Sequence, residues 1–164
     1  MTIQRGERIP GLRIKVAEEK GAGSEVSTEE IFYNKTVVLF GVPGAFTPTC
    51  SVKHVPSFLE HAATLRERGV DTIACLAVND AWVMGAWGVL AGAFPHLTML
   101  ADGNGDFSRA LGLDIDLSAS FLGTRCRRFA LIAKRGEVVD IAVEESGKFE
   151  VSSAEAVLAR LASL

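Results

Sequence analysis

The sequence predicts an α/β fold with a central mixed β-sheet flanked by helices, and three observations predict it. TVVLFGV (36–42) and VDTIACLAV (70–78) are continuous apolar runs rich in β-branched residues, the pattern of strands buried on both faces. Between them Val55, Phe58, Leu59, Ala62 and Leu65 recur at steps of three and four, one apolar helical stripe. Strand, helix and strand at this spacing read as a right-handed parallel crossover. Near the end, RRFALIA (127–133), the turn KRGE and VVDIAV (138–143) read as an antiparallel hairpin. A chain of 164 residues suits one domain over 1–164. It buries roughly 70% of its unfolded surface, enough for a core without staples.

The other elements follow in order. LRIKVA (12–17) alternates apolar and polar residues, as a half-exposed strand does, and EEKGAGSE (18–25) is a turn. Thr28, followed by two glutamates, caps a short helical turn. In the crossover helix Gly69 is the stop, and Pro56 predicts a kink. AWVMGAWGVLAGA, after Asn79 and Asp80, is helical but weakened by its glycines; HLTML (96–100) is a strand, ADGNG a turn and DFSRALGL a short helix. SSAEAVLARLASL closes the chain as an amphipathic helix capped at Ser152 or Ser153. This order of elements makes a thioredoxin-like fold the leading candidate.

Composition excludes several function classes. The net charge is −3 and no basic block occurs, so neither nucleic acid nor an anionic membrane is an expected partner. No apolar run reaches about 18 residues, the length of a membrane span. The N-terminus MTIQRGERIPG has no apolar core of a secretory signal. The three cysteines, Cys50, Cys75 and Cys126, form neither a disulfide framework nor a metal-ligand pattern. A reducing cytoplasm is the expected location.

The chemistry concentrates at Cys50. Thr47-Pro48 is a helix-start signal, with threonine as cap and proline at the first helical position. Cys50 then falls in the first turn, where unpaired N–H groups and the positive end of the helix dipole face its sulfur. Both favour thiolate over thiol, which makes a nucleophile at neutral pH. The alternative is a small hydrophobe in a helix. The Thr-Pro start argues against it, because it puts the sulfur at a helix mouth after a βα loop, where open α/β sheets keep their sites.

PGAFTPTC (43–50) resembles the P-x-x-x-T-x-x-C signature of the peroxiredoxins. With VND (78–80), the Trp87-Gly88 pair and RRF (127–129) in order, the chain resembles the subgroup of plant type II and mammalian fifth peroxiredoxins. The similarity runs from about residue 30 to about 145 and more loosely to the ends. The resemblance implies that Cys50 is the peroxidatic cysteine, that Pro43 shields its sulfur, and that Thr47 bonds the peroxide oxygen. It implies that Arg128 stabilises the thiolate and the transition state. The reaction would turn hydrogen peroxide or an alkyl hydroperoxide into water or alcohol, leaving a Cys50 sulfenic acid. It needs no metal, haem or flavin.

The mammalian members carry a later resolving cysteine, whose position is Ser152 here, and no cysteine follows Cys126. The resemblance therefore implies a one-cysteine cycle, with glutathione first, and glutaredoxin or thioredoxin next, as reductant. Cys75 lies in an apolar strand and reads as core. Cys126, among Arg125, Arg127 and Arg128, is a candidate exposed and acidified thiol, and a minor candidate for pairing with Cys50. Of the three arginines Arg128 is expected to point inward and the others into solvent. His54 shares the helix face of Cys50; packing or a supporting role behind the reacting groups is favoured over base catalysis. Trp87 reads as core. Phe46 and Trp82 are candidates for the homodimer contact common in the subgroup. A thiol–disulfide oxidoreductase is disfavoured by the missing CxxC; a redox sensor or relay passing oxidation to partner proteins remains the alternative.

Overall fold

A computed structural model describes all 164 residues. The chain runs β1 (Arg13–Val16), β2 (Ser24–Ser27), α1 (Thr28–Phe32), β3 (Thr36–Gly41), a π-turn (Cys50–His54), α2 (Val55–Glu67) and β4 (Thr72–Ala77). It continues with α3 (Ala81–Ala91), β5 (Thr98–Ala101), α4 (Asp106–Ala110), β6 (Asp114–Asp116), a 3-10 turn (Ser118–Ser120) and β7 (Thr124–Cys126). β8 (Phe129–Lys134), β9 (Glu137–Val143) and α5 (Ala154–Leu161) complete it.

Seven strands form one sheet in the order β2-β1-β5-β4-β3-β8-β9, while β6 and β7 pair separately. β3, β4 and β5 are parallel neighbours, as the crossover pattern predicts, and β8–β9 is the predicted antiparallel hairpin. Alternation along the central strands makes two core layers. Val38, Phe40 and Val42 face an upper layer with α2, α3 and α5; Val37 and Leu39 face a lower one with α1 and α4. Phe40 stacks on Phe58 of α2 with centroids 4.1 Å apart, a pair worth about 1 kcal/mol beyond its buried area.

Several expectations need adjusting. SEVS (24–27), read largely as turn, is edge strand β2. Ser27, not Thr28, caps α1 by accepting from the Glu29 N–H. The Thr28 hydroxyl instead donates to Pro10 O. The β6–β7 pair in DIDLSASFLGTRC was unforeseen. Pro56, expected inside the helix, lies in the first turn of α2, and a π-turn precedes it, closed by a Val55 N–H to Cys50 O bond five residues back. Pro56 follows immediately, and it has no N–H and would crowd the carbonyl four residues earlier. The wider turn meets that demand.

β8 starts at Phe129, two residues later than expected. The Arg127 N–H donates to Leu113 O, so the backbone there still serves the β6–β7 neighbourhood. The in/out alternation slips by one between Cys126 and Arg128. Cys126 therefore points into the lower layer, while Arg128 reaches a sulfur in the upper one.

Candidate active site

The site sits at the C-terminal end of β3, where the sheet hands over to the π-turn. Val42 continues the strand by donating to Leu76 O. Ala45 N–H is then pinned by the Asn79 side chain at 2.9 Å, which ties the loop to the end of β4. Phe46 adopts a positive φ of 65° to make the turn. Helical structure begins at Pro48, directly after Thr47, as the sequence predicts.

Cys50 is fully buried. Two donors converge on its sulfur: Thr47 Oγ1 at 2.8 Å and Arg128 Nη2 at 3.1 Å. The Thr47 side chain does not cap the helix. Its hydroxyl also lies 2.7 Å from Gly44 O, and a hydroxyl has one proton. Beside a thiol that proton goes to Gly44 O; beside a thiolate it turns to the sulfur. The hydroxyl thus adapts to the charge on Cys50. The Cys50 backbone N–H has no acceptor in the chain, as first-turn donors do not. Hydroxyl and guanidinium meet at the sulfur, and the N–H of the same residue is left free.

The surroundings exclude bulk water while leaving an approach. A cleft of about 190 Å³ is lined by Pro43, Thr49, Arg128 and residues 144–148, and Arg128 reaches from it to the Cys50 sulfur. Arg127 lines the same cleft and its guanidinium has no partner in the chain. Arg125 is half-buried, donating to Leu122 O at 2.7 Å and reaching toward Pro43 O. It braces the loop and is not solvated as expected. Trp87 is buried, and its Nε1–H donates to Ser51 Oγ at 2.9 Å, fastening the turn after Cys50 to α3.

His54 is fully buried beside Arg128: Nδ1 lies 2.9 Å from Arg128 Nη1, and Nε2 lies 2.8 Å from Ser152 O. Burial, with the Arg128 charge, pushes its pKa down to about 3. Glu144 is buried too. Its Oε2 accepts from the N–H groups of Glu150, Val151 and Ser152 and from Ser152 Oγ. Burial raises its carboxyl, but these bonds outweigh that and hold it below the usual range. This staple is not legible in the sequence, because three of its four donors are backbone groups.

The other two thiols lie in the core. Cys126 is neither exposed nor acidified. It is fully buried in the lower layer, and burial pushes its thiol up to about 12. It packs beneath Gly41, where a Cβ would collide with the Phe129 ring and lie 2.9 Å from Cys126 Sγ. The sheet separates it from Cys50, so the pairing entertained from sequence has no footing in this conformation. Cys75 faces the upper layer with Cys50, and burial raises its thiol well above the usual value. All three cysteines are free. No cluster of ligating side chains could hold a metal, and no helix is long and apolar enough to cross a membrane.

The Redoxin family matches residues 4–158. The chain is 45% identical to Peroxiredoxin-2B of Arabidopsis thaliana over 97% of its own length and 98% of the relative's. It superposes with a TM-score of 0.92 on reduced Prx3 of Vibrio vulnificus in complex with hydrogen peroxide, at 43% identity, covering 98% of this chain and 97% of that one. Peroxiredoxin 5 of Alvinella pompejana is similar at 31% identity and a TM-score of 0.86, with 99% of both chains covered. The fold is thioredoxin-like.

Proposed function

The chain belongs to the peroxiredoxins, within the Redoxin family, and is a thiol peroxidase; from that premise we propose the roles of its residues and the source of its electrons. Cys50 is the attacking thiolate. Its sulfur forms a bond to one peroxide oxygen as the O–O bond breaks, and the leaving oxygen takes a proton to become water or an alcohol. Arg128 and the Cys50 N–H stabilise charge on the oxygens in the transition state, and Thr47 holds the peroxide oxygen. Pro43, at the cleft wall, limits access of water. The convergence of Thr47 Oγ1 and Arg128 Nη2 on a buried sulfur carries this reading. Stopped-flow oxidation by hydrogen peroxide tests it: Cys50→Ser must abolish the fast phase.

The cycle uses one cysteine. Cys50 sulfenic acid condenses with an external thiol, releasing water, and a second thiol displaces Cys50 from the mixed disulfide. Glutathione is the first reductant, with glutaredoxin or thioredoxin as alternatives. The absence of a cysteine after Cys126, and the place of Cys126 below the sheet, support an external thiol. The unpaired Arg127 at the cleft suits an anionic one. Turnover compared side by side with glutathione, glutaredoxin and thioredoxin decides among them. A cytoplasmic location belongs to this reading, supported by three unpaired cysteines and the need for a thiol pool.

The protein works as a homodimer through Phe46 and Trp82. Both are largely exposed, at 51% and 64%, and the Ala45–Asn79 bond brings their two segments together. Sedimentation of Trp82→Ala is the test, with a shift toward monomer expected.

A further inference from the structure

The cleft from which Arg128 reaches Cys50 is lined by five charged side chains: Arg127, Arg128, Glu144, Glu145 and Lys148. Four of them are engaged. Arg128 donates to Cys50 Sγ at 3.1 Å. Glu144 accepts from the N–H groups of Glu150, Val151 and Ser152. Lys148 Nζ lies 3.0 Å from Glu145 Oε2, across a tight turn in which the Lys148 N–H donates to Glu145 O. Arg127 is the remaining charge. It is exposed, and its guanidinium meets no carboxylate. Its backbone is nonetheless fixed, since the Arg127 N–H donates to Leu113 O at 2.7 Å. Ile115 and Leu117 give the same cleft an apolar patch.

We propose that Arg127 determines specificity in the reductive half of the cycle: it binds a carboxylate of the incoming thiol, and so selects small carboxylated thiols of the glutathione type. The inference rests on the reading of an external thiol as the electron source. Hydrogen peroxide and alkyl hydroperoxides are uncharged, so an unpaired surface cation does little for the first half-reaction. A carboxylated thiol is the one charged reactant of the cycle. Oxidation favours its arrival. The thiolate that faces Arg128 becomes a neutral sulfenic acid, so the cleft gains one positive charge at the stage when the reductant enters. The free guanidinium offers a carboxylate two parallel donors, and Ile115 and Leu117 can cover methylene groups of the bound thiol. The thiol sulfur then bonds Cys50 Sγ as the S–O bond breaks, and the hydroxyl leaves as water with the thiol's proton.

The test oxidises Cys50 with one equivalent of hydrogen peroxide and follows loss of the sulfenic acid by stopped flow. The probes are glutathione and its diethyl ester, which carries the same sulfur without free carboxylates, each rate constant being referred to the thiolate concentration. In the wild type at low salt glutathione should react about three- to tenfold faster than the ester, and added salt should shrink that preference. In R127Q glutathione should fall to the ester's rate while the ester keeps its own. R127K, with the charge but not the fork, should lie between. Comparing two thiols on one variant cancels any general damage to the fold or to the sulfur. The proposal is overturned by a preference that survives in R127Q, by a wild type without preference, or by equal slowing of both thiols. A loss in R127Q seen with thioredoxin but not with glutathione would overturn it in favour of a contact with a protein reductant. A wild-type sulfenic acid that neither thiol reduces would overturn the reading of a glutathione-type reductant and this inference with it.

Discussion

Cys50 and Cys126 are both fully buried, yet they lie on opposite faces of the sheet and meet different neighbours. Around Cys50 stand a hydroxyl, a guanidinium and an unsatisfied N–H. Around Cys126 stand the Phe129 ring and the glycine backbone of β3, and burial pushes the thiol up to about 12 against the smaller downward pulls of the Ser108 hydroxyl and Arg127. On the role proposed for Cys50, exposure does not decide reactivity. A guanidinium together with a hydroxyl aimed at the sulfur does, because they replace the water that burial removes. Both cysteines neighbour arginines, Cys126 in sequence and Cys50 in space. Arg127 lowers the Cys126 thiol too little to offset burial, whereas Arg128 bonds the Cys50 sulfur directly.

The largest effect that would break this contrast is at Cys50 itself. Cys50→Ser should reduce peroxide consumption to the uncatalysed background, and residual turnover in that variant would mean another thiol does the chemistry. The next is at Thr47. Thr47→Val removes the hydroxyl but keeps the shape, and should lower the oxidation rate constant about a hundredfold, as loss of one directed donor does. Thr47→Ser should stay within about tenfold of wild type. A valine variant faster than the serine variant would show that the methyl group, not the hydroxyl, is what matters.

Acid should expose a third difference, because the upper layer alone contains a buried titrating ring. The His54 pKa is about 3 in the fold against 6.5 for the free side chain. Below pH 6.5 the unfolded chain takes up a proton that the folded chain refuses. Stability from this group is therefore complete above pH 6.5 and is lost as pH falls toward 3. At pH 4.5 the loss is about 2 to 3 kcal/mol, from two pH units at about 1.4 kcal/mol each. Glu144, held below its usual range, adds to the loss only once pH drops through the carboxylate region. Urea midpoints at pH 7 and 4.5 measure this, and H54N should show a flatter dependence. Parallel curves for H54N and wild type would mean that another group carries the acid sensitivity.

The legible parts of the molecule were those where a local rule had no competitor. The buried strands 36–42 and 70–78 announced themselves by composition, and the helix stripe by its spacing. β2, with only Val26 apolar among SEVS, and the three-residue strands β6 and β7 carry too little pattern; pairing alone makes them. Thr47 was legible as a helix start, but its hydroxyl had several acceptors to choose from and chose Gly44 O and Cys50 Sγ. The strand boundary at Phe129 depended on which partner the Arg127 N–H would find. His54 was visible as a neighbour of Cys50, one turn on. Its partners lie 74 and 98 positions away, and no local rule reaches that far.

The smallest effect is expected at Cys126, and it bears hardest on the comparison. Cys126→Ala removes one sulfur from a packed interior, which costs about 1 kcal/mol of stability. Turnover with glutathione should stay within about twofold of wild type, since the sulfenic acid forms across the sheet from this thiol. The unfolding midpoint should move by a few degrees at most. A large fall in turnover at an unchanged midpoint would mean that the two layers exchange material during the cycle. Oxidation at Cys50 would then have to disturb β7, across the sheet. Trp87 provides a control, because its indole is bonded to Ser51 next to the reacting cysteine. Fluorescence that changes with peroxide equally in wild type and Cys126→Ala would confine the motion to the upper layer and leave Cys126 a core residue.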